Sequence, residues 1–183
     1  MNELVPFSTS IWIDNVVSDV YTDVIKIKEL VGSRVVSNIG GWQSPSYRHI
    51  NDCKFIAPLV DQITQRLASI YQQYGILTPP LLLNYWFNIN QQNDYNILHR
   101  HPRSKFSVVY YVSVPEESGN LVFKRPDLLG DYIEADIANE RNSQYYYIKA
   151  KEHKLVIFPA YLEHQVEQNQ STQDRVSIAF NFD

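Results

Sequence analysis

Three histidines in the second half of the chain could bind one metal ion. His99 and His101 are two residues apart, and in an extended segment such residues project to the same face. His164 follows a strongly apolar segment that is typical of a strand. A barrel of two sheets can bring two such strands together around an open metal face, so the three imidazoles are candidate ligands. The alternative is that His99 and His101 are polar loop residues and that His164 ends a strand.

Arg175 begins a segment in which polar and apolar residues alternate up to Phe182. This pattern predicts a strand with its apolar face under the helices, which turns Arg175 toward the interior. A buried guanidinium is costly unless an anion pairs with it, and a dicarboxylate held by the metal at its other end would satisfy that requirement. Because residues 167–174 are rich in turn formers, we expect His164 and Arg175 on neighbouring strands of one hairpin. The alternative is an edge-strand arginine that faces water.

Local patterns also predict whether four further residues, one tyrosine, two histidines and the cysteine, are buried or exposed. Tyr111 belongs to the less apolar row of its predicted strand, so we expect its side chain in the interior. His49 and His153 lie in turn-rich segments and are expected to be exposed. Cys53 is the single cysteine, so it cannot form an internal disulfide, and we expect a small buried apolar side chain.

The period of the apolar residues changes near residue 80. Before it, one helix is predicted from the cap candidates Asp14 and Asn15 to Gly32, and a second helix covers residues 55–74. The stripe expected to be buried on this second helix is Leu59, Ile63, Leu67, Ile70 and Tyr74. Beyond Leu81, six or more segments alternate as antiparallel strands do. The long insertion at residues 125–143 is a candidate lid.

Length and composition indicate one domain over residues 1–183. Residues 1–78 form a mostly helical cover and residues 79–183 the strands, which is an α+β fold with the helices packed on one sheet. The net charge of −4 does not favour sequence-independent binding to nucleic acids. No apolar run approaches a membrane span, and the first residues do not have the design of a signal peptide, so we expect a cytoplasmic protein.

Five segments, in this order, resemble a known family. They are residues 37–44 (SNIGGWQS), 86–102 (Trp86 to Pro102, with HRHP at its end), 107–112 (SVVYYV), 155–166 (LVIFPAYLEHQV) and 175–181 (RVSIAFN). Together they span most of the chain and resemble the 2-oxoglutarate/Fe(II) oxygenase family of bacterial and phage proteins, which is related to the prolyl hydroxylases. The resemblance implies a double-stranded β-helix that couples decarboxylation of 2-oxoglutarate by O2 to hydroxylation of a substrate.

The same resemblance implies roles for individual residues. His99 and His164 would be Fe(II) ligands, with His101 in the position where such enzymes usually have a carboxylate. Arg175 would bind the distal carboxylate of 2-oxoglutarate. Tyr111 matches a supporting tyrosine, and Ser177 completes an Arg-x-Ser pattern.

Several alternatives remain open at this point. Three imidazoles could also hold Zn(II), and Asp94 could complete the metal site in place of His101. The chain could be a cupin-like metalloprotein with hydrolase or isomerase activity, or a binding module without catalysis. In residues 37–44, Trp42 and Gln43 are candidates for the substrate entrance. The substrate would be a small molecule or a protein side chain, and the chain could form a homodimer.

Overall fold

The computed structural model describes residues 2, 7–129, 135–137 and 139–183. Its strands are β1 Trp12–Asn15, β2 Asn38–Ile39, β3 Trp42–Gln43, β4 Leu82–Asn90, β5 Tyr95–His99, β6 Phe106–Ser113, β7 Asn120–Lys124, β8 Tyr145–Lys149, β9 Lys154–Pro159, β10 His164–Val166 and β11 Arg175–Phe182. The helices are α1 Tyr21–Leu30 and α2 Ala57–Gln73, with a 3-10 helix over Ile50–Ile56 directly before α2. Of the predicted lid, residues 130–134 and 138 lie outside the described residues.

The strands form two antiparallel sheets. The larger sheet has the order β1-β9-β6-β11-β4-β3, and the smaller has the order β2-β5-β10-β7-β8. The inner faces of the sheets meet in a small apolar cluster that takes Tyr111 and Phe158 from the larger sheet and Leu121, Phe123 and Ile148 from the smaller one. The predicted α+β class is confirmed, and the inner faces are available for a site.

The helices cover the outer face of the larger sheet. Their apolar side chains share one core with the outward row of β4 and β11, and Ile63, Leu67, Phe87 and Phe180 are fully buried there. The predicted second helix is confirmed to within two residues at its start and one at its end. Of the stripe expected to be buried, Tyr74 is the exception. It caps the helix directly after Gln73 and is half-exposed.

The first predicted helix begins later than its cap candidates indicate. Asp14 and Asn15 lie in β1, which pairs with β9, and α1 begins only at Tyr21. Asp14 accepts a hydrogen bond from Nε of Arg66 at 2.6 Å. Residues that favour helix caps also favour strand ends and turns, and here pairing with β9 decides the conformation.

The alternation in β11 is confirmed. Val176, Ile178 and Phe180 join the core beneath the helices, whereas Arg175 and Ser177 line the interior. The expected hairpin of His164 and Arg175 is wrong, because β10 pairs with β5 and β7 while β11 pairs with β4 and β6. The connection at residues 167–174 therefore passes from one sheet to the other, and the two side chains line the same cavity from different sheets.

A sharp corner links the two sheets near residue 40. β2 pairs with β5 in the smaller sheet, and β3 pairs with β4 in the larger one. Gly40 and Gly41, between them, both have φ of 66°, a conformation that glycine adopts without strain. A Cβ atom on Gly40 would lie 2.0 Å from Oδ1 of Asp94, so the corner also requires the absence of a side chain.

No described helix is long and apolar enough to cross a membrane.

Candidate metal centre

Three imidazoles converge at one end of the smaller sheet. His99 ends β5, His164 begins β10, and the two are paired across the sheet. His101 follows two residues after His99, where its N–H donates to the carbonyl of Ala160 at 3.0 Å. One nitrogen from each ring lies within 4.8 Å of the others. Among the described residues these three form the one such group of potential metal ligands.

The separation of two ring nitrogens suits a shared metal ion. Nε2 of His101 lies 3.2 Å from Nε2 of His164. Two nitrogens that each lie about 2.1 Å from one metal are separated by a similar distance when the angle between them is about 100°. The donor set is therefore compatible with a metal bound by Nε2 atoms.

An irregularity in β5 turns the side chain of His99 toward those of His101 and His164. His164 pairs with His99 and Val166 pairs with Asn96, so Ile97 and Leu98 of β5 oppose the single residue Gln165 of β10. Such a bulge re-aims a side chain. As a result Asn96 and His99 both line the interior, although an odd spacing of three in a regular strand would place them on opposite faces.

Hydrogen bonds fix the tautomers of two histidines. Nδ1 of His99 lies 2.8 Å from the carbonyl oxygen of Ile97, and Nδ1 of His164 lies 3.0 Å from that of Leu162. A carbonyl oxygen only accepts, so both Nδ1 atoms carry the proton and both Nε2 atoms present a lone pair. This is the usual outer-shell support of metal-binding histidines.

Burial, complete for His164 and partial for His99 and His101, favours the neutral form of the three imidazoles. Removal from water lowers the pKa of His99, lowers that of His101 to about 3, and lowers that of His164 well below its ordinary value. The neighbouring histidines lower the pKa values of His101 and His164 further. Neutral imidazole is the form that binds metals, so the group is ready to act as a ligand set near neutral pH.

Arg175 supplies a buried positive charge in the same interior. Its side chain is 1% exposed, and Nη1 donates to the carbonyl oxygens of Ser118 and, at 3.3 Å, Glu167. Nη2 of Arg175 and the hydroxyl of Tyr111 are buried with no hydrogen-bond partner among the described residues. Unsatisfied buried donors are costly, and a carboxylate is the group that would satisfy both.

All six site residues predicted from the sequence line one cavity of about 50 Å³. These residues are His99, His101, Tyr111, His164, Arg175 and Ser177. Asp94, the alternative ligand, lies outside the ligand group, and its carboxylate instead accepts a hydrogen bond from the N–H of Gln91 at 2.7 Å. Trp42 and Gln43 do not line the cavity; the indole of Trp42 packs against the helix-side core and donates to the carbonyl of Val31.

The sequence did not single out eight polar or aromatic residues that also line the cavity. They are Ser37, Trp86, Asn88, Asn90, Asn96, Ser107, Phe158 and Phe180. Three of them occupy the polar row of β4, and that alternation is visible in the sequence. Ser37 and Asn96 have no such signal, because their position depends on the corner at residue 40 and on the bulge in β5.

A protein-family model described as "Putative 2OG-Fe(II) oxygenase" matches residues 84–181. This segment is more than half of the chain and contains all six predicted site residues. The chain belongs to this family. It is therefore a non-haem Fe(II), 2-oxoglutarate-dependent oxygenase with O2 as co-substrate, and the Zn(II), cupin-like and non-catalytic alternatives are set aside.

Solved structures of similar fold agree with this family. A prolyl-4-hydroxylase from Pseudomonas putida aligns with a TM-score of 0.65 at 12% identity over 96% of this chain and 92% of its own. A prolyl hydroxylase from Trichoplax adhaerens, in complex with a peptide fragment of the hypoxia inducible factor oxygen degradation domain, aligns with a TM-score of 0.61 at 13% identity. The alignment covers 96% of this chain and 84% of that one. HygX from Streptomyces hygroscopicus, with nickel, 2-oxoglutarate and hygromycin B bound, aligns with a TM-score of 0.58 at 12% identity. The alignment covers 95% of this chain and 82% of that one.

These structural similarities confirm the double-stranded β-helix expected from the sequence. At such low identity they concern the fold alone. A search of curated proteins finds no match to this chain.

Proposed function

We propose that this oxygenase is a hydroxylase in which His99, His101 and His164 hold Fe(II) through their Nε2 atoms. The convergence of the three rings supports this assignment, as do the two carbonyl oxygens that fix the tautomers of His99 and His164. With three neutral ligands the protein itself contributes no negative charge to the metal, so an anionic cosubstrate supplies the charge balance.

Arg175 and Tyr111 then bind the distal carboxylate of 2-oxoglutarate. Ser177 lies on β11 two residues after Arg175 and is the cross-strand partner of Tyr111. The observation that carries the proposal is that two buried donors without partners, Nη2 of Arg175 and the hydroxyl of Tyr111, share a cavity with the three histidines. A dicarboxylate that reaches the metal with one end satisfies both donors with the other.

When bound, Fe(II) and 2-oxoglutarate supply the oxidative chemistry, in which O2 is consumed, CO2 and succinate are released, and one oxygen atom enters a C–H bond of the substrate. The residues of this chain bind and orient the reactants. Phe158 and Phe123 pack their rings against His164, with centroids 4.7 Å and 5.9 Å away, and so keep water from that side of the metal group. Trp86 covers His101 at 5.5 Å.

We place the substrate among small molecules and protein side chains, since hygromycin B is bound to the structural neighbour from Streptomyces hygroscopicus and a peptide fragment to that from Trichoplax adhaerens. A reducing compartment such as the cytoplasm is proposed because Cys53 is a buried free thiol.

The division of roles is tested by removing one residue from each end of the cavity. In anaerobic titrations, Arg175→Ala should bind Fe(II) normally but weaken 2-oxoglutarate at least about 30-fold, because truncating one partner of a buried charge pair costs about 2 kcal/mol or more. His164→Ala should lose Fe(II). Arg66→Ala is the control, since Arg66 pairs with Asp14 near the surface and should change neither affinity. Equal loss of Fe(II) in both site variants, with the fold intact, would show that the assignment is wrong.

A further inference from the structure

A line of buried polar side chains connects the two ends of the cavity. Asn90 is the cross-strand partner of Arg175, and its amide lies 3.5 Å from Oδ1 of Asn96. The amide of Asn96 donates to the hydroxyl oxygen of Ser37 at 3.2 Å. That hydroxyl lies 3.5 Å from Nε2 of His99. The line therefore begins beside the proposed carboxylate anchor and ends beside a proposed ligand atom.

Ser37 is held firmly in this position. Its carbonyl accepts a hydrogen bond from the N–H of Ile97 at 2.9 Å, the same residue whose carbonyl fixes the tautomer of His99. The next residue, Asn38, belongs to β2 and pairs with Asn96 of β5, and the corner at Gly40 then carries the chain to the other sheet. Ser37 is 8% exposed, so bulk water cannot readily take its place.

The direction of the Ser37 hydroxyl follows from its neighbours. The oxygen accepts from Asn96, and Nε2 of His99 has no proton because Nδ1 carries it. The hydroxyl proton therefore points at the lone pair of Nε2, over a long contact. If that lone pair binds a metal, the proton would need another acceptor, and an oxygen ligand of the same metal would supply one.

We infer that Ser37 donates a hydrogen bond to the metal-binding, keto-acid end of 2-oxoglutarate, and that Asn96 holds Ser37 for this purpose. The inference rests on the proposed function, and it assigns a role to the segment at residues 37–44. Arg175 and Tyr111 bind one end of the cosubstrate, and Ser37 binds the other.

Removal of the hydroxyl tests this role without turnover. In anaerobic protein loaded with Fe(II), Ser37→Ala should weaken 2-oxoglutarate about tenfold, the factor that matches loss of one hydrogen bond to a charged group. Fe(II) affinity should stay within about twofold. The visible charge-transfer band of the Fe(II)–2-oxoglutarate chelate should move in energy, because a hydrogen bond to the chelating oxygens is lost.

Asn96 acts through Ser37, so the two substitutions should not add. Asn96→Ala alone should also weaken 2-oxoglutarate, but in the Ser37→Ala background it should cause no further loss. Ser44→Ala is the matched control. Ser44 is a fully buried serine of the same segment whose hydroxyl accepts from the N–H of Phe87, away from the cavity lining, so its loss should lower stability and leave the 2-oxoglutarate affinity and the band unchanged.

The outcomes separate this inference from the proposed function. If the unaltered protein with Fe(II) binds no 2-oxoglutarate, the proposed function fails. If it binds normally but Ser37→Ala leaves the affinity and the band unchanged, or if Ser37→Ala loses Fe(II) and 2-oxoglutarate in equal measure, the role given to Ser37 is overturned while the function stands.

Discussion

At the scale of single residues, the site is defined by groups that are buried and incompletely satisfied. Arg175 and Tyr111 each bury a donor that finds no partner among the described residues. The three histidines are wholly or partly shielded from water, and one nitrogen from each ring lies within 4.8 Å of the others. Both features reduce the stability of the fold, and both are expected where a charged ligand and a metal ion are to be bound.

The three histidines make the stability of the metal-free protein depend on pH. Their pKa values are lowered by burial, so below about pH 6.5, the ordinary pKa of histidine, the unfolded chain binds protons that the folded chain does not. The contribution of each histidine is therefore fully present above about pH 6.5 and is lost as the pH falls through its own lowered pKa, which for His101 is about 3.

Urea unfolding of metal-free protein at pH 7.5 and 5.5 measures this effect. The unaltered protein should lose about 1.4 kcal/mol more between these pH values than His101→Asn, because one histidine that stays neutral contributes about that amount. Equal losses in both proteins would contradict a His101 that stays neutral in the folded protein.

Which residues could be found from the sequence depended on how local their signals were. The alternation in β11 predicted an inward Arg175, and the HxH spacing with a later histidine predicted the ligand group. Ser37 and Asn96 could not be found in that way, because a bulge in β5 and a chain crossing between sheets bring them to the cavity.

At the scale of elements, the Gly40–Gly41 corner determines how the first part of the chain reaches the site. It ties β2 to β5 and β3 to β4, and so holds the two strands that carry Asn96, His99 and Asn90 at a fixed separation. Both glycines have positive φ, and Asp94 occupies the space where a side chain on Gly40 would lie.

Alanine substitutions separate the two requirements of this corner. Gly75 has φ of 67°, and no atom lies within 4 Å of the point where a Cβ on this residue would be, so Gly75→Ala should cost about 1 kcal/mol from backbone conformation alone. Gly40→Ala adds the contact with Asp94 and should cost about 2 to 3 kcal/mol. Denaturant midpoints measure both; equal destabilisation would show that Asp94 moves aside freely.

Two expectations about elements were wrong for a common reason. Asp14 and Asn15 suit a helix cap, and residues 167–174 suit a hairpin turn, but strand pairing with distant partners overrode both local preferences. The buried stripe of α2 also differs from the predicted one at its last position, since Tyr71 rather than Tyr74 is buried in the helix-side core.

At the scale of the whole molecule, the two faces of the larger sheet have separate tasks. Its outer face packs on α1 and α2 in the main core, and its inner face meets the smaller sheet around the cavity. The α+β class and the helical cover could be predicted because period-two and helical patterns occupy different parts of the chain. The division of strands between two sheets could not, since it depends on contacts between residues far apart in sequence.

The most direct test of the oxygenase function is succinate formation by purified protein supplied with Fe(II), O2 and 2-oxoglutarate. We expect slow production of succinate and CO2 in equal amounts even without a further substrate, and almost none with Arg175→Ala at the same 2-oxoglutarate concentration or with a chelator present. Succinate no higher than in the chelated control, from folded protein that also fails to bind 2-oxoglutarate anaerobically, would contradict it.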